Sequence, residues 1–299
     1  MRERDLLQHI YEHNTRLPGG VTIPPGDDMG AVRIGQEQVL VTVDQAIDGV
    51  HFRLADTPLE LIGRKAMTRN LSDVAAMAAL PVAAVAAAAL PRSFTQPQAD
   101  ALFDAMRRTA EHYDCPLIGG DVSIHDGPLT LTVTVLASPA GVKPVLRSGA
   151  KVGDLIAVTG RLGKAWSRQS GGGAHLTFEP RIAVARRLAT LPGLSLHSMI
   201  DISDGLSGDL AHICQQSGVG AEIRLIDIPL REGATPADAL TDGEDYELLF
   251  TFAPTQLPAE IDGVPLTVLG HIIEGSGIVL VDEHQRRAML SEAGWEHRT

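Results

Sequence analysis

Five acidic sites, spread from residue 27 to residue 247, interrupt this chain where core packing gives no reason for a charge. The first runs from Gly26-Asp27-Asp28 to Asp44, which follows the apolar run Val39-Leu40-Val41 and Val43 and is expected at the end of a strand, facing Asp27 and Asp28. Asn70-Leu71-Ser72-Asp73 falls on the apolar face of a helix, and Gly119-Gly120-Asp121 ends a strand. Asp201-Ile202-Ser203-Asp204-Gly205 joins a strand to a helix, and Asp242-Gly243-Glu244-Asp245-Tyr246-Glu247 leads into a strand. Each has a local explanation: a turn at Gly-Asp-Asp, a helix N-cap at Ser203 or Asp204, an Asx-turn at Asp121, a satisfied core group at Asp73, and a solvated loop at 242–247. Together they are explained more simply by a fold that converges them on divalent cations. Mg²⁺ takes carboxylate oxygens and keeps waters and substrate phosphates in its shell.

The intervening pattern mixes helices and strands without a strict βαβ rhythm, so the expected class is α+β. Leu6, Leu7, Ile10 and Tyr11 give residues 3–13 helical spacing. Pro58 opens a helix of about five turns, in which Leu59, Ile62, Ala66, Asn70, Asp73 and Met77 recur at steps of three or four and which Pro81 stops. A second helix covers 97–113, others 180–191 and 206–217, and strands are expected at 39–43, 82–90, 117–121, 129–137, 155–159, 221–225, 246–252, 266–273 and 278–281. The Gly-, Pro- and Lys-containing link from Ser138 to Gly153 is the expected boundary, giving domains 1–138 and 149–299.

A formal net charge of −12 argues against a non-specific nucleic-acid binder, and a polyanionic substrate would need metal ions to bind. No GxxxxGK[ST] loop and no protein-kinase glycine-rich signature is present, so a nucleotide would be held chiefly through metals. That is adequate for phosphoryl transfer, which asks mainly for positioning and charge neutralisation. Cys115 and Cys214 lack metal-ligand spacing and read as reduced thiols. The N-terminus has no signal-peptide core, and Ala75–Leu90 is too short and too interrupted to span a bilayer. A soluble cytoplasmic protein is expected, with no membrane and no nucleic-acid partner.

The motifs also stand in a familiar order. Gly26-Asp27-Asp28, Asp44 with His51-Phe52, Arg64-Lys65-Ala66-Met67 through Asn70-Leu71-Ser72-Asp73, Gly119-Gly120-Asp121, Arg147-Ser148-Gly149-Ala150, Asp201-Ile202-Ser203-Asp204-Gly205-Leu206 and Gly243-Glu244-Asp245-Tyr246-Glu247-Leu248 resemble those of the thiamine-monophosphate kinases. That family belongs to the ATP-binding superfamily of aminoimidazole ribonucleotide synthetase and selenophosphate synthetase. The resemblance implies ATP-dependent phosphorylation of thiamine monophosphate to thiamine diphosphate by direct transfer. It also implies an N-terminal ATP- and Mg²⁺-binding domain whose sheet pairs with that of a second subunit in a homodimer. Carried over by position, Asp28, Thr42, Val43, Asp44, Asp73, Asp121, Asp201 and Asp204 would hold Mg²⁺. Gly120, Asp121, Arg147 and Ser203 would contact ATP, and His51, Glu244 and Trp295 would hold thiamine monophosphate. No side-chain nucleophile is implied.

Three stretches depart from the family pattern. Val43 replaces a hydroxyl residue, so only its main chain could serve a metal. The segment after Gly160 is shortened and carries Trp166 and Gly171-Gly172-Gly173, and Phe178 stands where a proline is usual. The alternatives are a non-catalytic nucleotide- or thiamine-phosphate-binding protein and another superfamily enzyme. The N-terminal cysteine of selenophosphate synthetase and the C-terminal cysteine of a hydrogenase-maturation relative are both missing.

Overall fold

Pro58 does open a helix, and both halves of the molecule are built on it. The structure, a computed structural model, describes residues 16–167 and 171–290 together with Leu6, His9, Ile10 and His13. The helix expected over 3–13 therefore lies largely outside the described residues. The first half contains β1 (Val21–Ile23), β2 (Gly30–Ile34), β3 (Glu37–Ile47), α1 (Leu59–Ala76), β4 (Leu80–Pro91), α2 (Gln96–His112), β5 (Leu117–His125) and β6 (Thr130–Ser138). The second contains β7 (Leu155–Thr159), α3 (Ile182–Thr190), β8 (Leu196–Asp201), α4 (Leu206–Ser217), β9 (Gly220–Arg224), α5 (Pro236–Thr241), β10 (Leu248–Phe252), β11 (Glu260–Ile261), β12 (Val264–Ile273), β13 (Gly277–Val281) and β14 (Arg287–Met289).

The first sheet runs β1-β2-β3-β6-β4-β5, antiparallel except where β4 and β5, joined by α2, pair in parallel. Its side chains alternate as a pleated sheet requires. Leu40, Thr42, Ala46, Leu131, Val133, Ala86 and Ala88 are buried beneath the helices, whereas Val32, Val43 and Val85 stand on the opposite, bare face. Edge strand β5 is exposed on both faces, with Ile118, Val122 and Ile124 each more than half exposed.

The second sheet runs β14-β13-β9-β12-β7-β10-β8, with β11 on β12, and only β13 and β9 pair in parallel. Leu206, Leu210 and Ile213 of α4 pack on one face with Ile156, Val158, Ile200 and Leu249. On the other face Ala157, Met199, Phe250 and Phe252 meet Val184, Ala185 and Leu188 of α3, and here Ala75 and Ala76 of α1 join the core of the second half. Since Ile62, Met67, Leu71 and Val74 belong to the core of the first, α1 is enclosed on every side. Mixed, largely antiparallel sheets with stacked helices make the fold α+β, as expected. Among the described residues no helix is long and apolar enough to cross a membrane.

Strands β1, β2, β11 and β14 were not expected, and three expected features differ. β3 continues past Asp44 to Ile47 because β6 pairs with it as far as Thr130, and β5 continues past Asp121 to His125 alongside β4. Each aspartate is therefore inside a strand. Pro81 does not stop α1, which has already ended before a left-handed turn at Ala78. It lies in β4 at a register shift, where a missing N–H is tolerated.

The helices α1 and α2 cross closely at Gly63, where a Cβ would stand 2.8 Å from the Leu102 carbonyl oxygen and 2.9 Å from Ala105 Cβ. Gly63→Val should cost at least about 2 kcal/mol through overpacking, seen as a Tm lower by several degrees. An unchanged Tm would show that the crossing relaxes freely.

Candidate active site

Three of the expected carboxylates converge. Asp28 arrives from the loop before β2, Asp73 from the last turn of α1, and Asp201 from the end of β8. Oxygens of all three lie within 4.8 Å of one another. Thr42, on the covered face of β3, donates to Asp73 Oδ2 at 2.5 Å. Ser72 donates to Asp201 Oδ2 at 2.6 Å. Arg147 reaches back from the interdomain link, its Nη2 2.7 Å from Asp28 Oδ1 and its backbone N–H 2.6 Å from Asp27 Oδ1. Asp28 Oδ2 is buried and accepts no hydrogen bond among the described residues.

This grouping is electrostatically unfavourable unless something relieves it. Burial pushes the Asp201 carboxyl up to about 7, with the charge of Asp28 adding to the effect. Burial and then the charges of Asp44, Asp201 and Asp28 raise Asp73 well above the usual carboxylate range. Two buried acids and one half-buried, with one unserved oxygen, form the donor set a hard divalent cation takes. The residues present fit Mg²⁺.

Around this core the other expected residues take separate positions. Asp44 faces α1, where Arg69 Nε lies 3.3 Å from its Oδ2. Asp204 is half-buried at the mouth of the Asp201–Gly205 loop, its N–H 3.1 Å from Asp209 Oδ2. The N-cap of α4 is Gly205, not Ser203 or Asp204. Ser203 instead offers its carbonyl to the Glu244 N–H at 2.7 Å, tying a nucleotide candidate to a substrate candidate. The side chain of Val43 points away from the cluster to the bare face.

Gly120 and Asp121 are not brought to the cluster by this chain. Asp44 pairs with Val133, Val133 with Ala86 and Ala86 with Gly120. That places β5 three strand spacings from β3, roughly 14 Å. Asp121 pairs with the exposed Ala87, so it is also on the bare face of the sheet. Trp295 lies outside the described residues.

His51 and Glu244 are brought together, by a residue the sequence did not single out. Lys65 is fully buried in α1. It donates to the His51 carbonyl at 2.5 Å, to His175 Nδ1 at 2.7 Å and to the Glu244 carboxylate. Burial works against ionisation of Glu244, but Lys65, His175 and Arg69 hold its carboxyl well below the usual carboxylate range. Burial lowers His175 below the usual imidazole range, and its Nδ1 stands 2.7 Å from Lys65 Nζ and 3.4 Å from the Glu244 carboxylate. Glu244 and Tyr246 both take left-handed backbone conformations, at φ 61° and 52°, a strain that concentrates at functional sites. Two of the three departures from the family pattern gather here. Phe178 stacks on Tyr246 at 4.0 Å between centroids, and the Trp166 ring lies 5.5 Å from Lys65 Nζ.

Sequence reasoning also missed Arg69, His175 and Asp209. Asp209 carried a readable signal, an aspartate in the first turn of a helix beside the Asp201–Gly205 motif. Arg69 and His175 acquire their surroundings only from distant chain segments.

The family model described as AIR synthase related protein, N-terminal domain, matches residues 26–138, and the C-terminal domain model matches residues 151–295. Thiamine-monophosphate kinase of Rhodopirellula baltica is 36% identical over 297 residues, covering 92% of this chain and 91% of the relative. That of Mycobacterium tuberculosis H37Rv is 31% identical over 305 residues, covering 94% and 87%. The solved structure of AaThiL complexed with AMPPCP and TMP matches with a TM-score of 0.83 at 27% identity, over 99% of this chain and 97% of that one. By sequence through both domains and by fold along its length, the chain belongs to the thiamine-monophosphate kinase family of AIR synthase-related proteins.

Proposed function

We propose that this protein transfers the γ-phosphoryl group of ATP to thiamine monophosphate, giving thiamine diphosphate. The observation that carries the reading is the convergent trio Asp28, Asp73 and Asp201 with its unserved oxygen, in a chain whose relatives are thiamine-monophosphate kinases. Asp28, Asp73 and Asp201 hold Mg²⁺, and Asp44, Asp204, Thr42 and the Val43 main chain extend the set. When bound, Mg²⁺ neutralises charge on the phosphate oxygens. Arg147, now paired with Asp28, turns to a nucleotide phosphate, and Ser203 and Gly120 line the nucleotide. His51, Glu244 and Trp295 hold thiamine monophosphate, an aromatic side chain being suited to a flat cationic ring. The attacking oxygen belongs to the substrate phosphate and is already deprotonated at neutral pH. The chain therefore supplies alignment rather than a base or a nucleophile.

Residues 1–138 form the ATP- and Mg²⁺-binding domain, and 149–299 the second domain. The first sheet supports a homodimer. An apolar edge strand exposed on both faces, beside a bare apolar sheet face, invites pairing, and a second copy supplies the same surface. Asp121 reaches a site only in that assembly. Two buried free cysteines suit a reducing compartment, the cytoplasm.

The test is ADP release with Mg-ATP and thiamine monophosphate, with thiamine and aminoimidazole-pathway substrates as controls. Thiamine diphosphate formed from the monophosphate alone is the expected result. Binding without turnover would favour a sensor.

A further inference from the structure

Lys65 spends its ammonium group on three acceptors that come from three segments of the chain. Its partners include both described residues assigned to the thiamine phosphate, one from each domain: the carbonyl of His51, in the loop after β3, and the carboxylate of Glu244, in the loop before β10. The third, His175, follows the glycine loop at 171–173, and the Trp166 ring flanks the ammonium. The Lys65 side chain is completely shielded from solvent and that of Glu244 is 13% exposed. The lysine is therefore behind the ligand's position, and the carboxylate is at its surface.

We propose that Lys65 is the positioning residue of the acceptor site, tying His51 of the first domain to Glu244 of the second and so setting the gap into which the thiamine heterocycle fits. This rests on the proposed activity. The bridge acts on acceptor binding and not on the nucleotide, because none of its three partners belongs to the Asp28-Asp73-Asp201 cluster or to Arg147. It also resolves a difficulty in Glu244. A carboxylate held in a left-handed turn and buried would be displaced or protonated without a cation behind it, and a protonated acid would not attract a cationic ring.

The groups facing Lys65 are Glu244, His175, the His51 carbonyl, Arg69 and Asp44, with Trp166 beside them. Burial pushes its ammonium down to about 8, against the pull of Glu244. The protonated bridge is therefore complete below that pH and is lost above it.

Steady-state kinetics of Lys65→Met should show KM for thiamine monophosphate raised by about thirtyfold, as befits about 2 kcal/mol at 1.36 kcal/mol per decade, with KM for ATP within about twofold. In the wild type, KM for thiamine monophosphate alone should climb above about pH 8, and Lys65→Met should flatten that rise. Since Lys65→Met strands a buried carboxylate, Lys65→Met/Glu244→Gln is made as well. It should recover the Tm of the wild type and keep the high KM. Equal changes in both KM values, or a double variant with normal KM for thiamine monophosphate, would overturn the positioning role. A wild type that does not turn over thiamine monophosphate would overturn the proposed activity itself, and this inference with it.

Discussion

Asp73→Asn should lower turnover at least about a thousandfold, roughly 4 kcal/mol of transition-state stabilisation, and leave the chain folded. The replacement keeps an acceptor for Thr42, which holds the residue in place, but removes one of three charges from the cluster. Its effect on stability should run the other way. Burial and its acidic neighbours favour the neutral form of Asp73, and burial and the Asp28 charge favour that of Asp201, held up to about 7. Below the ordinary carboxyl range, folded and unfolded chains are both protonated and the cluster costs nothing. As pH rises toward 7 the unfolded chain ionises first, so chelator-treated wild type should lose stability between about pH 4 and 7. Mg²⁺ should reverse that loss in the wild type and do less for Asp73→Asn, which without metal should melt at or above the wild-type temperature. A wild-type Tm with the same pH dependence in Mg²⁺ and in chelator would sink the cation reading. So would wild-type turnover in the variant.

Asp121→Asn should cost about as much turnover, and it should be rescued in trans. One chain holds Asp121 three strand spacings from Asp44 and on the opposite face of the sheet. If it serves a site completed by a second copy, mixing it with Asp73→Asn creates heterodimers with one intact site and one doubly damaged site. Random pairing makes half the dimers mixed, so co-expression of two nearly inactive variants should restore about a quarter of wild-type activity. Recovery of none, with mixed dimers confirmed by mass, would place Asp121 outside the partner's site.

The long elements were legible in the sequence because their signals are local. Pro58 and the three-to-four spacing locate α1, and Gly218, left-handed at φ 66°, closes α4 where a glycine is wanted. The acidic motifs were only partly legible as a set: turns and caps do not explain buried Asp28 and Asp201, whereas Asp245 and Glu247 are buried as partners of Arg231 and Arg181. What could not be read is anything created by the second domain covering the first. Arg64-Lys65 looks like a solvated pair on a helix, yet Lys65 is fully buried and its Glu244 partner is 179 residues away. Strand lengths failed for a similar reason: β3 and β5 run as far as β6 and β4 can pair with them, which their own residues do not record. Short β1, β2, β11 and β14 hold too few residues for an alternating pattern to stand out.

The enclosed helix α1 carries both Lys65 and Asp73, and eight residues at 1.5 Å each separate them by about 12 Å along the axis. In the proposed reaction one end of this stretch would address the ring of the acceptor and the other the phosphates. A helix packed between the two domains cannot stretch or slide, so on that reading it would work as a fixed gauge of ligand length. Acceptors whose linker between ring and phosphate is longer or shorter would reach one end and miss the other. Inserting a single residue between the two would turn them out of alignment by about 100°. Discrimination by size would then reside in a stretch of backbone that never touches the ligand.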